Sequence, residues 1–573
     1  MPTINKLPLL GTPSSGDQIP VYAPNSGDAR RMSITALTDY MQDTLDLPDN
    51  SDEVSFLQSG TGAVTRTVQS KLRDVVSVKD FGAVGDGVTD DTAAIQAALN
   101  SGAKQVIFTP GGLYLINGGL SASTSGQIII AQGATIKLKD NAANKGMLLC
   151  TGSEMVVDGG TWDGNKSNGN APANTYDSWC VFLLNDRCTV QNTNCVQIHG
   201  IGLKGLGNYL SFLNNRVRNS THYGIFVDGS PSFSPTGNKA IGNTIDMGEG
   251  GVIGQGILFS AYPGFLQDAW ELSNNNIVGP NNASIGDQAI NLAARGNNGV
   301  VSNNTTRYGA MGFSEGGNNC VISGNNFLDL RGTVRYAIEP SGKFVCTGNT
   351  VTDAYVGVSV TASINYDESV VSGNVIRLNA SGLYGIHLQI ANTFTGKNIN
   401  ISGNTINTPS YGVYAVRSCD GLTIAANTIV GPGVASGRGV FLDALPAAAF
   451  VSIMSNTFRG FLRPWSVYSA SATTYTDLFA GSNVCIDCGS TRLNWPVEGS
   501  AVIGARACVL DGEWGAHDMI DSANNVIRFY SAAYSNPEGF LAAGIGSIYV
   551  SLNSGGGVYR KNTGTGNTGW VAM

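Results

Sequence analysis

Three phrases decide the fold: Ile399-Asn400-Ile401-Ser402-Gly403-Asn404-Thr405-Ile406, Leu422-Thr423-Ile424-Ala425-Ala426-Asn427-Thr428-Ile429 and Val451-Ser452-Ile453-Met454-Ser455-Asn456-Thr457-Phe458. In each, apolar residues two apart share one face of a strand, and the alternation breaks at the Asn. Reading outward, the phrase recurs at Asn215, Asn243, Asn275, Asn303, Asn325, Asn349 and Asn374, with spacings from 22 to 32 residues. A period near 25 with elastic insertions signals stacked coils, not a globular core. Asn tolerates the left-handed backbone of a tight corner, and its amide can bond the Asn of the next coil, so the series predicts an Asn ladder.

A second phrase follows each Asn, a Gly or Ala and then an apolar residue: Gly224-Ile225, Gly256-Ile257, Ala289-Ile290, Gly312-Phe313, Ala337-Ile338, Gly357-Val358, Gly385-Ile386, Gly412-Val413 and Gly439-Val440. Every coil therefore holds at least two strands with a bend between them. Without helical periodicity, stacking like strands of successive coils predicts an all-β, right-handed parallel β-helix, a solenoid. Cys320 and Cys346 fall on inward positions and read as small hydrophobes. Cys485-Ile486-Asp487-Cys488 lacks the second ligand pair of a zinc site, and no metal or cofactor is expected.

Composition agrees: 75 Gly and only 13% charged residues in 573 fit many tight turns and a polar surface. A net charge of −8 argues against a nucleic-acid partner. No apolar run is long enough to span a membrane, and the N-terminus lacks the pattern of a signal peptide, so synthesis in a cytoplasm is expected. Pro8, Pro13, Pro20 and Pro24 argue against packed sheet or helix at the start. A short helix follows, capped by Ser33, with Ile34, Leu37, Met41 and Leu45 on one side, ended by Pro48 and in need of a partner.

The run Phe56-Leu57-Gln58-Ser59-Gly60-Thr61-Gly62-Ala63-Val64-Thr65-Arg66-Thr67-Val68-Gln69-Ser70-Lys71-Leu72-Arg73, with Val76-Ser77-Val78-Lys79-Asp80-Phe81-Gly82-Ala83-Val84-Gly85-Asp86-Gly87-Val88-Thr89-Asp90-Asp91-Thr92, resembles the β-helix entry of bacteriophage tailspikes of the pectate-lyase-like superfamily. Physically, Thr89 or Asp90 can cap a helix whose Ala94, Ile95, Ala98 and Leu99 close the open end of the solenoid. Asp86, Asp90 and Asp91 lack EF-hand spacing and read as turn and cap residues. The stretch Gly544-Ile545-Gly546 through Gly569-Trp570 resembles the C-terminal motif of many phage tail proteins. The division expected is 1–54 virion attachment, 55–120 linker and cap, 121–480 β-helix, and 481–573 a β-rich trimerisation tip.

That resemblance implies a homotrimer in the virion tail, joined to phage tail or adaptor proteins through its N-terminus, that binds and often cleaves a bacterial capsule or lipopolysaccharide. Two rivals are a non-enzymatic receptor-binding fibre and a secreted pectin-type lyase or galacturonase. The second lacks here the paired Asp, Gly-His-Gly and Arg-Ile-Lys constellation. With the Gly or Ala of the second phrase as zero, strict alternation points −2 and +2 outward. The +2 column then includes Asn291, Ser314, Glu339, Ser359, His387 and Tyr414, and the −2 column includes His222, Asp287, Arg335 and Tyr355. This polar and aromatic window suits an elongated sugar chain.

Glycoside hydrolysis needs two carboxyl groups. Glu339 is the acid of the +2 column and Glu315, one coil earlier, its nearest acidic neighbour, so these two are the catalytic candidates. Arg335, His387, Tyr355, Asn291, Asp287 and Tyr414 are the substrate-binding candidates. In an elimination, where a base removes the proton beside a uronate carboxylate, Arg335, His387 and Tyr355 would matter instead. His199, His222 and His517 read as surface or packing residues, and Asp158 and Asp163 as turn residues.

Overall fold

The computed structural model describes residues 12–486 apart from 24–27, 46–49, 249–254, 281–289, 331–335, 363–365, 391–395, 418, 434–435, 446–449, 470–473 and 476–477. Beyond these it describes 488, 497–499, 502–503, 508–510, 517–520, 526–532, 548–551, 558–563 and 568–573. It divides into two compact units, Met1–Val76 and Ser77–Met573.

The first unit departs from the expectation of irregular chain. Gln18–Ala23 and Asp28–Ser33 form an antiparallel ribbon, with Pro20 opposite Arg31. A two-stranded ribbon has only edge strands, where a missing N–H is tolerated. The helix Ile34–Leu45 follows, and the Ala36 N–H donates to Ser33 Oγ at 2.9 Å, the cap expected.

Near the start of the second unit, after the 3-10 turn Val78–Phe81 and the strand Asp86–Asp90, comes the closing helix Thr92–Leu99, whose Ile95, Ala98 and Leu99 are buried. Asp91, not Thr89 or Asp90, is the N-cap residue, and its carboxylate accepts instead from the backbone N–H groups of Val84 and Gly85. Asp90 accepts from the Thr92 N–H at 3.1 Å and pairs with Lys139. The entry motif thus ties turn, helix and first coils together.

Each full coil then carries three strands, one more than the sequence required, and like strands stack in parallel. The first sheet includes Val300–Ser302, Cys320–Ser323, Phe344–Thr347, Val370–Ser372, Asn400–Ser402 and Leu422–Ala425. Among the described residues the second has 16 strands, including Thr405–Asn407 and Thr428–Val430. The third has 15 among the described residues, including Met311–Glu315, Tyr336–Pro340, Val356–Ala362, Tyr384–Ile390, Tyr411–Arg417 and Arg438–Asp443. The architecture is a right-handed parallel β-helix. Ile399, Ile401, Ile406, Leu422, Ile424, Ile429, Val451, Ile453 and Phe458 are all buried, so the inward register is as read. Cys320 and Cys346 are buried free thiols, and burial pushes Cys346 up to about 12.

The corner between the first and second sheets holds the Asn ladder, with two corrections. The rung in the fourth coil is Asn304, not Asn303, and Asn483 extends the series beyond Asn456. The left-handed residue is the one before each rung: Asn274 (φ 55°), Asn303 (φ 54°), Gly403 (φ 66°), Ala426 (φ 55°) and Ser455 (φ 56°). This division of labour has a simple cause. A rung must aim its side chain along the solenoid axis, so the tight turn falls to its neighbour. At Asn404, Oδ1 accepts from both the N–H and the amide of Asn374, while Nδ2 donates to Asn427 Oδ1 and to Val371 O, all at 2.9 Å. Every polar atom of a buried rung amide is thus satisfied, which is what lets it stay buried.

Candidate functional site

The third sheet carries the candidate site, and its glycines set the geometry. A Cβ on Gly385 would lie 2.4 Å from Ile406 Cγ2 and 2.6 Å from the Gly412 carbonyl oxygen, and on Gly412 equally close to Ile429 and Gly439. Gly385 therefore faces inward, as does the buried Ile386 after it. Two successive inward residues make a bulge, and beyond a bulge the alternation slips by one.

The slip corrects the outer columns: −1 and +2, three residues apart, share the outer face. Tyr384 stacks on His387 with ring centroids 4.3 Å apart, and Tyr411 lies 5.5 Å from Tyr414. Between coils, Tyr384 stacks on Tyr414 at 4.8 Å and Tyr414 on Phe441 at 5.4 Å. Arg438 extends the terrace, its guanidinium 4.8 Å from the Phe441 ring centre. Tyr336, Tyr384 and Tyr411 escaped the sequence reading because they precede the bulge. The signal was present in the repeated Tyr-Gly and Tyr-Ala dipeptides at 336, 384 and 411.

The +2 column is as read from Ser314 onward: Ser314 pairs with Glu339, Ser359 with His387, His387 with Tyr414, and Tyr414 with Phe441. Asn291 does not belong to it. It occupies the glycine position of its coil, since Ile290 pairs with Met311 and Leu292 with Phe313, and it is buried with its amide donating to Tyr308 O at 2.7 Å. Its coil lacks a Gly, so counting from Ala289 misplaced it. Ala293 takes the outward place.

Glu339 is half-buried on the outer face and accepts from Ser314 Oγ at 3.2 Å. The strand runs through Glu315, whose backbone pairs with Ala294 and Pro340, one position beyond Glu339. The side chain of Glu315 lies outside the described residues, as do Arg335 and Asp287 entirely. Tyr355 sits at the corner leading into the third sheet, its carbonyl accepting from the Leu383 N–H at 2.8 Å, and its phenol influences that of Tyr384.

Electrostatics separates the members. Burial holds the His387 imidazole down to about 4, so it is neutral near pH 7. It is 7% exposed and, among the described residues, has no hydrogen-bond partner; Ser359 Oγ, one coil below, has none either. Burial and then the 2.8 Å bond to Asp443 raise the Tyr414 phenol. Burial and then the nearby Glu339 charge raise Tyr366, whose hydroxyl donates to Pro340 O. The arrangement can stack flat apolar faces, exchange hydrogen bonds with hydroxyls, and present one carboxylate at Glu339. Among the described residues no three His, Cys, Asp or Glu side chains converge as metal ligands would.

Asp158 and Asp163 are the last residues of their strands, at the turns that follow; Asp158 accepts from Asn192 Nδ2 and precedes the left-handed Gly159 and Gly160, and Asp163 accepts from the Asn165 N–H two residues on, as a turn residue does.

Residues 75–232 match the family model for rhamnogalacturonase A/epimerase, pectate lyase-like, and residues 271–461 that for the periplasmic copper-binding protein NosD. The chain is 48% identical over 54 residues to the tail spike protein of an Escherichia phage, covering 9% of this chain and 7% of that one. It is 24% identical over 542 residues to a capsule K30/K69-specific depolymerase of Klebsiella phage K64-1, covering 81% of this chain and 66% of that one. A third relative, alginate lyase 7 of Azotobacter vinelandii, is 40% identical over 110 residues, covering 16% of this chain and 13% of that one. The chain therefore spans less than two thirds of the length of each of these relatives. Among solved structures, a tailspike mutant of E. coli bacteriophage HK620 in complex with pentasaccharide matches with a TM-score of 0.49 at 12% identity, covering 92% of this chain and 96% of that one.

Proposed function

We propose that this pectate-lyase-like β-helix is a phage tailspike that binds a bacterial surface polysaccharide, capsule or O-antigen, on the outer face of its third sheet and cleaves it during adsorption. The observation that carries the reading is the in-register terrace of Tyr384, His387, Tyr411, Tyr414 and Phe441 on the same sheet face as Glu339, which lies two coils before His387. Stacked rings spaced by a coil rise of about 4.8 Å match a ligand that is itself a long repeat. The likeness to a phage tail spike and a capsule depolymerase supports it.

In this reading Glu339, steadied by Ser314, and Glu315 supply the two carboxyl groups of a glycosidase, one delivering a proton to the leaving oxygen and the other acting as nucleophile or base. Tyr355, His387 and Tyr414, with Arg335 and Asp287, hold the chain of sugars. The protein works as a homotrimer in the virion tail, assembled in the host cytoplasm and joined to the particle by its first residues.

Incubation with a panel of purified capsular polysaccharides and lipopolysaccharides, followed by product mass, tests this. Shortened products carrying an added water mean hydrolysis, and unsaturated products lighter by one water mean elimination. Glu339→Gln keeps shape but cannot ionise, so turnover should fall roughly 10²-fold or more with binding changed only a few-fold. Full activity in that variant would remove Glu339 from the mechanism. Binding without any cleavage by the unaltered protein would make it an adhesive fibre.

A further inference from the structure

A second aromatic cluster lies on the same face, toward the start of the solenoid and outside the terrace. From Phe226 the column runs through Leu258, Ala293 and Ser314 to Glu339, four coils or roughly 19 Å. His222 stacks on Tyr223 at 4.1 Å, Tyr223 on Phe226 at 4.7 Å, and Tyr176 stands edge-on to His222 at 4.9 Å. The Tyr176 and Tyr223 hydroxyls are 3.1 Å apart, and His222 Nδ1 is 2.7 Å from Thr175 Oγ1. That bond fixes the ring and leaves Nε2 without a partner among the described residues. Trp179 Nε1, two coils before Tyr223, and Gln255 Oε1, one coil after it, are buried with no hydrogen bond.

An outer-face cluster that served only packing would not gather an unmet donor, an unmet acceptor and a free imidazole nitrogen. Two cations face two carboxylates here: Lys204 lies over the Phe182 and Trp179 rings and is faced by Asp228 and Asp177, and Arg295 acts with Asp228 on the Tyr223 phenol. We propose that this cluster is a remote subsite for an uncharged sugar unit of the glycan, stacked on Tyr176 and His222, so that the polymer is held on both sides of Glu339. The assignment rests on the polysaccharide-binding reading and adds its own site to it. Burial lowers His222, which keeps the ring uncharged near pH 7.

The test uses the full chain and whichever panel polysaccharide it binds, with amide exchange and titration as readouts. The glycan should protect residues 174–179 and 221–226 as well as 384–414. His222→Ala and Tyr176→Ala should each weaken binding roughly three- to tenfold, independently of added salt, and Tyr176→Phe should restore most of the loss. Protection confined to 384–414 with unchanged affinity in both variants overturns the subsite while leaving the terrace as the binding site. A loss that depends on salt marks a charged sugar and overturns the chemistry assigned. If no polysaccharide binds the unaltered chain, both readings fall together.

Discussion

Asn349 shows how much one side chain can carry. Its Oδ1 accepts from the Asn325 N–H at 3.0 Å and the Asn325 amide at 2.8 Å, and its own amide reaches Asn374 Oδ1 and Ile322 O, both at 2.9 Å. Asn349→Ala strands two buried donors of Asn325 and one carbonyl, at about 1–3 kcal/mol each. The variant should unfold at clearly lower denaturant or be recovered mostly insoluble; an unchanged midpoint would show that the ladder is not a stabilising network. His387 gives a pH signature. Its folded value of about 4 lies below the ordinary 6.5, so between them the unfolded chain binds more protons and stability rises with pH. Stability should therefore fall as pH drops from about 6.5 to 4, by about 3 kcal/mol at most, and level off below. His387→Phe should flatten that slope in denaturation curves collected across the window.

The third-sheet strand is built around its glycine. Gly385→Ala pushes a methyl into Ile406 and the Gly412 carbonyl at 2.4 and 2.6 Å, and backbone on one side cannot yield. A loss of about 1–3 kcal/mol is expected, with the terrace of Tyr384 and His387 disturbed, which near-ultraviolet dichroism would register. Unaltered stability and spectrum would mean that the bulge relaxes freely. Where the bulge falls in each coil decides whether a Tyr or an Asn lies on the outer face. At Asn291 and Ala337 a side chain is accommodated where other coils have Gly.

For the molecule as a whole, the division at Val76 suggests that the solenoid is self-sufficient. A chain beginning at Ser77 should fold, form the proposed trimer and bind polysaccharide, while losing particle attachment. A monomer by light scattering would move trimerisation to the ribbon and helix of the first unit. Uptake of the shortened chain into virions would remove the attachment role from those residues.

The coil period, the inward register and the closing helix were legible in the chain because they rest on local rules. Alternation two residues apart decides which side is buried, and an Asn or Gly at a corner marks where the strand turns. The ladder was legible in kind but not in detail: Asn303 and Asn304 both fit the phrase, and only stacking against Asn275 and Asn325 selects the second. The outer columns were half legible. Glu339, His387 and Tyr414 follow the bulge at a fixed offset, and their place in the +2 column is as read. Tyr384 and Tyr411 precede it, and their face depends on two inward residues in a row, a choice made by Ile406, Ile429 and the next coil's carbonyls. The same holds for His222 and Tyr176, 46 residues apart in the chain and joined by the stacking of successive coils. Contacts across coils belong to tertiary packing, and no periodicity within one strand encodes them.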